Sequence, residues 1–147
     1  MSAAFLIHRS VMYTLPMNII LYIYTLLVIA VMDAVWLFST GAQYKKWLGH
    51  LFADTVNFVP AIIFYLLYTF AAVFFVVAPA VKNGTGLLTV LLSGAILGLV
   101  AYATYDLTNH ATMRDWPLVV TLLDMAWGEF LTGVASVVAV SIYRYFN

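Results

Sequence analysis

Four long apolar segments constrain the fold of this chain more than any other feature. They cover about residues 18–38, 55–78, 85–108 and 117–143, and each exceeds the roughly 20 apolar residues that a helix needs to cross a bilayer. Because backbone groups in lipid must be hydrogen-bonded within the protein, segments of this kind are expected to be α-helices. The sequence therefore predicts an all-α integral membrane protein with four spans.

The composition supports this class and excludes others. Charged residues make up 8% of the chain and the mean hydropathy is +1.03, whereas a soluble domain carries about a quarter charged residues. At 147 residues the chain has room for a single transmembrane domain. Six basic residues balance six acidic ones, so no basic surface for nucleic acid is expected, and the absence of cysteine excludes disulfides and thiolate metal sites. No cofactor is predicted.

Short connections between the segments predict the topology. They contain about sixteen, six and eight residues, which favours antiparallel neighbours and an up-down-up-down four-helix bundle. Residues 1–16 are predicted to form a short segment along the membrane interface. Pro79 is expected to end the second span, and Pro60 to kink it or mark where it begins. Three basic residues lie on each side of the membrane, so the charge rule leaves the orientation open.

Four acidic side chains lie inside the predicted spans: Asp33, Asp106, Asp124 and Glu129. A carboxylate in hydrocarbon costs at least ~2.5 kcal/mol, so such residues usually face a cavity, a partner or an ion. Threading places the three aspartates roughly 3–11 Å from the same membrane face. Glu129 lies deeper, near the midplane and on another face of its helix. Of two interpretations, a transport role and a protonated group that bonds across an interface, we favour the second.

The three aspartates define a candidate site for a substrate or an ion. Like charges so close together require a proton, a metal cation or a basic partner such as Arg114, Lys45 or Lys46. The alternative is that they only lock the bundle through hydrogen bonds. No catalytic residue is predicted, and metal binding is left open. The candidate binding residues are Asp33, Asn57, Tyr102, Asp106, Asn109 and Asp124, with Trp36, Tyr65, Arg114 and Trp127 in support.

Small residues predict close helix packing. Gly94-x-x-x-Gly98 in the third span, together with Gly128 and Thr132 in the fourth, would let these helices approach each other or a second copy. Asp33-x-x-Trp36 in the first span also resembles Asp124-x-x-Trp127 in the fourth. Two matched residues are slight evidence for an inverted repeat, and we interpret this echo as coincidence.

One long motif carries a resemblance to a known family. Residues 102–109, Tyr-Ala-Thr-Tyr-Asp-Leu-Thr-Asn, continue at 111–117 as Ala-Thr-Met-Arg-Asp-Trp-Pro. With Asp33-x-x-Trp36 and Asp124-x-x-Trp127, this pattern resembles small bacterial inner-membrane proteins that carry only a domain-of-unknown-function label. The resemblance implies a multi-pass protein of the bacterial inner membrane whose shared polar residues form the site. It implies no established activity.

Three functions fit these observations. The first is a small proton- or cation-linked transporter or channel-like protein, which would work as a homo-oligomer because four spans enclose little volume. The second is an accessory or scaffold subunit of a larger membrane complex, and the third is a membrane-embedded enzyme that modifies lipids. The lipid bilayer is a partner in all three.

Overall fold

The computed structural model describes the backbone of residues 3–146 and the side chains of residues 18–146. This part of the chain is helical and contains no strand. The helices are α1 (Ala3–Leu48), α2 (Phe58–Asn83), α3 (Leu87–Thr112) and α4 (Leu118–Phe146). Each contains a stretch long and apolar enough to cross a membrane. The predicted all-α, four-helix membrane bundle is confirmed. The predicted interfacial placement of residues 1–16 depends on side chains outside the described residues.

The first helix is longer than the apolar pattern predicts. Instead of ending near Phe38, α1 continues to Leu48 and is followed by a 3-10 turn at Gly49–Leu51. Its polar residues remain compatible with a helix, because the hydroxyls of Ser39 and Thr40 donate to backbone carbonyls one turn earlier, at 2.6 and 2.7 Å. The connection to α2 is therefore much shorter than predicted.

The start of α2 is set by a side-chain cap. Asn57 precedes the helix, and its side-chain oxygen accepts a hydrogen bond from the backbone N–H of Val59 at 3.1 Å. Pro60 is then the third helical residue, where its missing N–H costs little. Pro60 was predicted either to kink the second span or to mark where it begins, and the structure shows the second.

Pro79 does not end α2. A π-helical turn at Val73–Val77 precedes it, in which the Ala78 N–H donates to the Val73 carbonyl. Proline removes one helical hydrogen bond and crowds the carbonyl four residues earlier, and a wider turn relieves that conflict. The helix continues to Asn83 and stops at Gly84, whose φ of 64° suits glycine.

Helices α3 and α4 form the most extensive contact of the bundle, while α1 packs against α4 and α2. Glycines allow this close approach: a Cβ at Gly98 would lie 1.9 Å from the Gly128 carbonyl oxygen, and one at Gly94 would lie 2.7 Å from that of Thr132. The predicted small-residue faces therefore pack on each other within one chain. This contact fixes the two helices that carry Asp106 and Asp124.

Candidate functional site

A cavity of about 670 Å³ lies between the helices, beside the end of α1 and the start of α4. All four helices contribute to its wall, and the predicted residues Asp33, Trp36, Tyr102, Asp106, Asp124 and Trp127 are part of it. The other lining residues are Leu37, Thr40, Gly41, Tyr44, Leu48, Phe52, Phe64, Ala101, Tyr105 and Trp116. The three aspartates that threading placed at one membrane level thus line a common cavity.

Helical periodicity explains how α1 builds one wall. Asp33, Trp36, Thr40 and Tyr44 all line the cavity, and their spacing of three or four residues puts them on one face of a continuous helix. Thr40 and Tyr44 are the members that the sequence analysis missed, because the first span was expected to end before them. Extending the periodic pattern past Phe38 would have found them.

Asp33 is held by two donors from two other helices. The Tyr65 hydroxyl of α2 donates to Oδ2, and the Trp127 indole N–H of α4 donates to Oδ1 at 2.9 Å. Trp36, one turn after Asp33, stacks on Trp127 with ring centroids 4.4 Å apart and planes inclined by 8°. Asp33 therefore connects three helices, and each of its carboxylate oxygens has a partner.

Asp106 and Asp124 form a different arrangement. Asp106 is 0% exposed, and neither of its carboxylate oxygens has a hydrogen-bond partner among the described residues. The neighbouring Asp124 accepts a hydrogen bond from the Tyr44 hydroxyl at Oδ1 and lies close enough to Asp106 for the two groups to share a proton. When both are ionised, neither carboxylate can donate to the other and the charges repel. One bound proton or cation would satisfy the pair.

The remaining predicted residues lie away from the cavity. Asn57 is exposed and caps α2. Asn109 lies in the last turn of α3, where its carbonyl accepts from the Met113 N–H at 2.8 Å. Tyr65 does not line the cavity and reaches the site through its bond to Asp33. Glu129 is exposed on α4 and lies outside the cavity, consistent with the separate position expected for it.

Neutralisation by a basic residue, one of the predicted alternatives, is not observed. Arg114, Lys45 and Lys46 are exposed, and none lines the cavity. The Asp106 oxygens have no hydrogen-bond donor in the described part of the chain, basic or neutral. The 109–116 segment carries the Arg114 side chain away from the pair that it was expected to reach.

A metal centre is not supported by the arrangement of ligands. Within residues 18–146, no group of three or more histidine, cysteine, aspartate or glutamate side chains is placed to hold an ion. The three aspartates share a cavity, but Asp33 already accepts from Tyr65 and Trp127. The site therefore contains one pair of aspartates, Asp106 and Asp124, whose hydrogen bonding is not satisfied, in a largely aromatic wall.

Aromatic residues of the α3–α4 end complete the site. The Trp116 indole N–H donates to the Thr121 hydroxyl at 3.1 Å, and the Tyr105 ring meets Trp116 edge-on with centroids 5.9 Å apart. Trp116 belongs to the motif at residues 111–117 but was not among the predicted site residues. Its tight turn before α4, where Asp115 has a φ of 57°, folds the indole inward, which hydropathy does not reveal.

Comparison with known proteins supplies a family. The family model described as "Predicted membrane protein (DUF2177)" matches residues 18–141, which include three of the four spans, most of the fourth and every residue of the cavity wall. No curated protein and no solved structure matches the chain. The matched region covers most of the sequence, and the chain therefore belongs to this family of predicted membrane proteins of unknown function.

Proposed function

We propose that this protein is a small proton- or cation-linked transporter, with Asp106 and Asp124 as the ion-binding pair. The observation that supports this most is the fully buried Asp106 carboxylate, whose two oxygens lack partners at the wall of a cavity. An unpaired charge in a membrane segment costs at least ~2.5 kcal/mol. A bound proton or cation offsets that cost, and its release and rebinding is the step that a coupled carrier needs.

Asp33 has a positioning role in this proposal. Tyr65 and Trp127 already donate to its oxygens, so it is less suited than Asp106 to take up an ion. By tying α1 to α2 and α4 it fixes the wall on which Tyr44 is carried. Tyr44 in turn orients Asp124 through its hydroxyl. Tyr102, whose ring occupies the space beside Gly128, holds α3 and α4 in register next to the pair.

The proposal includes a homo-oligomer in a bacterial inner membrane. Four helices enclose too little volume for a complete path across the bilayer, so a second copy would have to contribute to it. Glu129 is exposed about 16 Å along α4, where lipid would otherwise surround it. A protonated glutamate that bonds to another subunit fits this position. The inner-membrane location follows the resemblance noted in the sequence.

Ion flux in proteoliposomes tests the proposal. Purified protein is reconstituted with a pH dye inside, a pH gradient is imposed, and Na⁺ or K⁺ is supplied on the opposite side. The wild type is expected to dissipate the gradient, and Asp106→Asn, which keeps the shape but removes the charge, is expected to abolish flux. Asp54→Asn is the matched control, because Asp54 is exposed in the α1–α2 connection and lies outside the cavity.

Two results would contradict the transporter. One is a wild type that moves neither protons, Na⁺ nor K⁺, and the other is a folded Asp106→Asn variant with wild-type flux.

An accessory subunit is the second candidate, favoured by the fully bonded Asp33, which acts as a structural lock. It predicts no flux from the wild type, and loss of a co-purifying membrane partner when Asp33 is replaced by asparagine. No feature of the described residues favours the lipid-modifying enzyme.

A further inference from the structure

We infer that the cavity binds a hydrophobic organic cation, with the positive charge against Asp106 and Asp124 and the apolar body against the aromatic walls. This inference names the substrate class of the site proposed above and rests on that proposal. Four properties of the cavity support it: its charge, its aromatic walls, its volume and its mouth.

The charge of the wall selects the sign of the ligand. Within residues 18–146, the lining residues include three aspartates and no lysine, arginine or histidine. Tyr65 and Trp127 satisfy Asp33, so the unsatisfied charge belongs to the Asp106–Asp124 pair. An anion would meet only repulsion there. A ligand with a positive charge, or with N–H donors, would supply what the two buried Asp106 oxygens lack.

Aromatic rings form half of the wall. Eight of the sixteen lining residues are Trp, Tyr or Phe. Four of them form two ring pairs: Trp36 stacks on Trp127, and Tyr105 meets Trp116 edge to face. The face of an aromatic ring attracts cations, most strongly when water is excluded. The carboxylates and the indole rings of the wall are together suited to an organic ammonium or phosphonium group.

The volume suits an organic cation better than a bare inorganic ion. About 670 Å³ lies within the roughly 300–1,000 Å³ range of small-molecule sites. A hard cation such as Ca²⁺ requires about 6–8 oxygen ligands around it. Here the free oxygens come from one carboxylate pair, and within the described residues no group of three or more acidic, histidine or cysteine side chains is placed to hold a metal ion. A ligand with an apolar body fills the space that an ion would leave empty.

The mouth of the cavity is apolar. Leu37, Phe52, Phe64 and Tyr105 line it and are themselves 56%, 53%, 45% and 60% exposed. In a membrane, such residues face lipid or the interface rather than bulk water. A ligand that partitions into the bilayer can therefore reach the acidic pair from the side, whereas a strongly hydrated ion would have to cross an aromatic rim.

A pair of probes that differ only in the sign of their charge tests this inference. Tetraphenylphosphonium and tetraphenylborate have the same shape, and their binding to the purified full-length protein can be measured by calorimetry and by quenching of tryptophan fluorescence. The phosphonium is expected to bind saturably and the borate not to bind. Asp106→Asn and Asp124→Asn are each expected to weaken phosphonium binding by at least about tenfold, with Asp54→Asn unchanged.

The outcomes separate this inference from the transporter proposal. Equal binding of the two probes, or undiminished phosphonium binding in a folded Asp106→Asn variant, would overturn the inference. Proton, Na⁺ or K⁺ flux without phosphonium binding would also overturn it and leave the transporter intact. Phosphonium binding without flux of protons, Na⁺, K⁺ or the phosphonium itself would support the ligand class and refute the transporter. The comparison of probes on the wild type needs no variant, so it remains decisive even if both substitutions unfold the protein.

Discussion

Replacing Gly98 by alanine would force apart the two helices that carry the acidic pair. The added Cβ would lie 1.9 Å from the Gly128 carbonyl oxygen and 2.5 Å from the Thr132 hydroxyl oxygen, where contacts below 3.0 Å are essentially never seen. The closest obstacle is backbone, which cannot rotate away as a side chain can. Helix α3 would therefore have to retreat from α4 by about 1.1 Å at this level.

The cost of this change follows from packing. Overpacking by a single methyl group costs about 1–3 kcal/mol, and a backbone obstacle places Gly98→Ala near the upper end of that range. Replacing glycine by alanine in a helix returns roughly 0.5–1 kcal/mol, because alanine loses less backbone entropy on folding. We expect the free energy of unfolding to fall by about 2 kcal/mol.

Unfolding by sodium dodecyl sulfate in mixed micelles, followed by tryptophan fluorescence and circular dichroism, measures this difference. Gly41→Ala is the matched control, because Gly41 is also helical and nothing lies within 4 Å of its added Cβ. The control is expected to be at least as stable as the wild type. If Gly98→Ala unfolded at the same detergent fraction as the wild type, the α3–α4 contact described here would be wrong.

Two further substitutions test the positions of predicted site residues. Tyr65→Phe removes a donor from Asp33 and is expected to lower the free energy of unfolding by about 1–3 kcal/mol in the same titration; unchanged stability would show that the Tyr65–Asp33 bond does not stabilise the bundle. Asn57→Ala removes the α2 cap and is expected to cost about 0.5–2 kcal/mol, while Asn57→Asp retains the cap. Loss of ion flux at unchanged stability in Asn57→Ala would instead place Asn57 in the transport site.

Apolar length predicted the four spans because the bilayer allows few alternatives, but it placed their ends poorly. In α1, polar residues from Ser39 to Lys46 indicated a loop, yet their side chains bond within the helix or face outward. In α2, Pro79 indicated an end, but the π-turn before it absorbs the conflict. Both errors arise because local hydrogen bonding, which hydropathy does not measure, decides where a helix stops.

The depth of residues along the helices predicted some of the cavity residues correctly and others incorrectly. Counting residues gives the level of a side chain in the membrane, and Asp33, Asp106 and Asp124 do line one cavity. The depth of a residue in the membrane does not show which way its side chain points around the helix axis. It also does not show which groups bond to each other at the end of a helix. Asn57 and Asn109 have a suitable level, but the first caps α2 and the second lies at the end of α3, outside the cavity.

The structure adds most to the sequence analysis at the two Asp-x-x-Trp motifs. Treated above as a coincidence, they meet in the bundle: Trp36 stacks on Trp127, and Trp127 donates to Asp33. Yet their aspartates have different surroundings. Asp33 accepts from Tyr65 and Trp127, whereas Asp124 accepts from Tyr44 and adjoins a carboxylate that has no donor. The same Asp-x-x-Trp spacing thus yields one satisfied group that joins helices and one member of an unsatisfied pair. Since only the unsatisfied pair gains by binding a cation, substitutions at Asp33 should act mainly through stability and those at Asp124 mainly through ligand affinity.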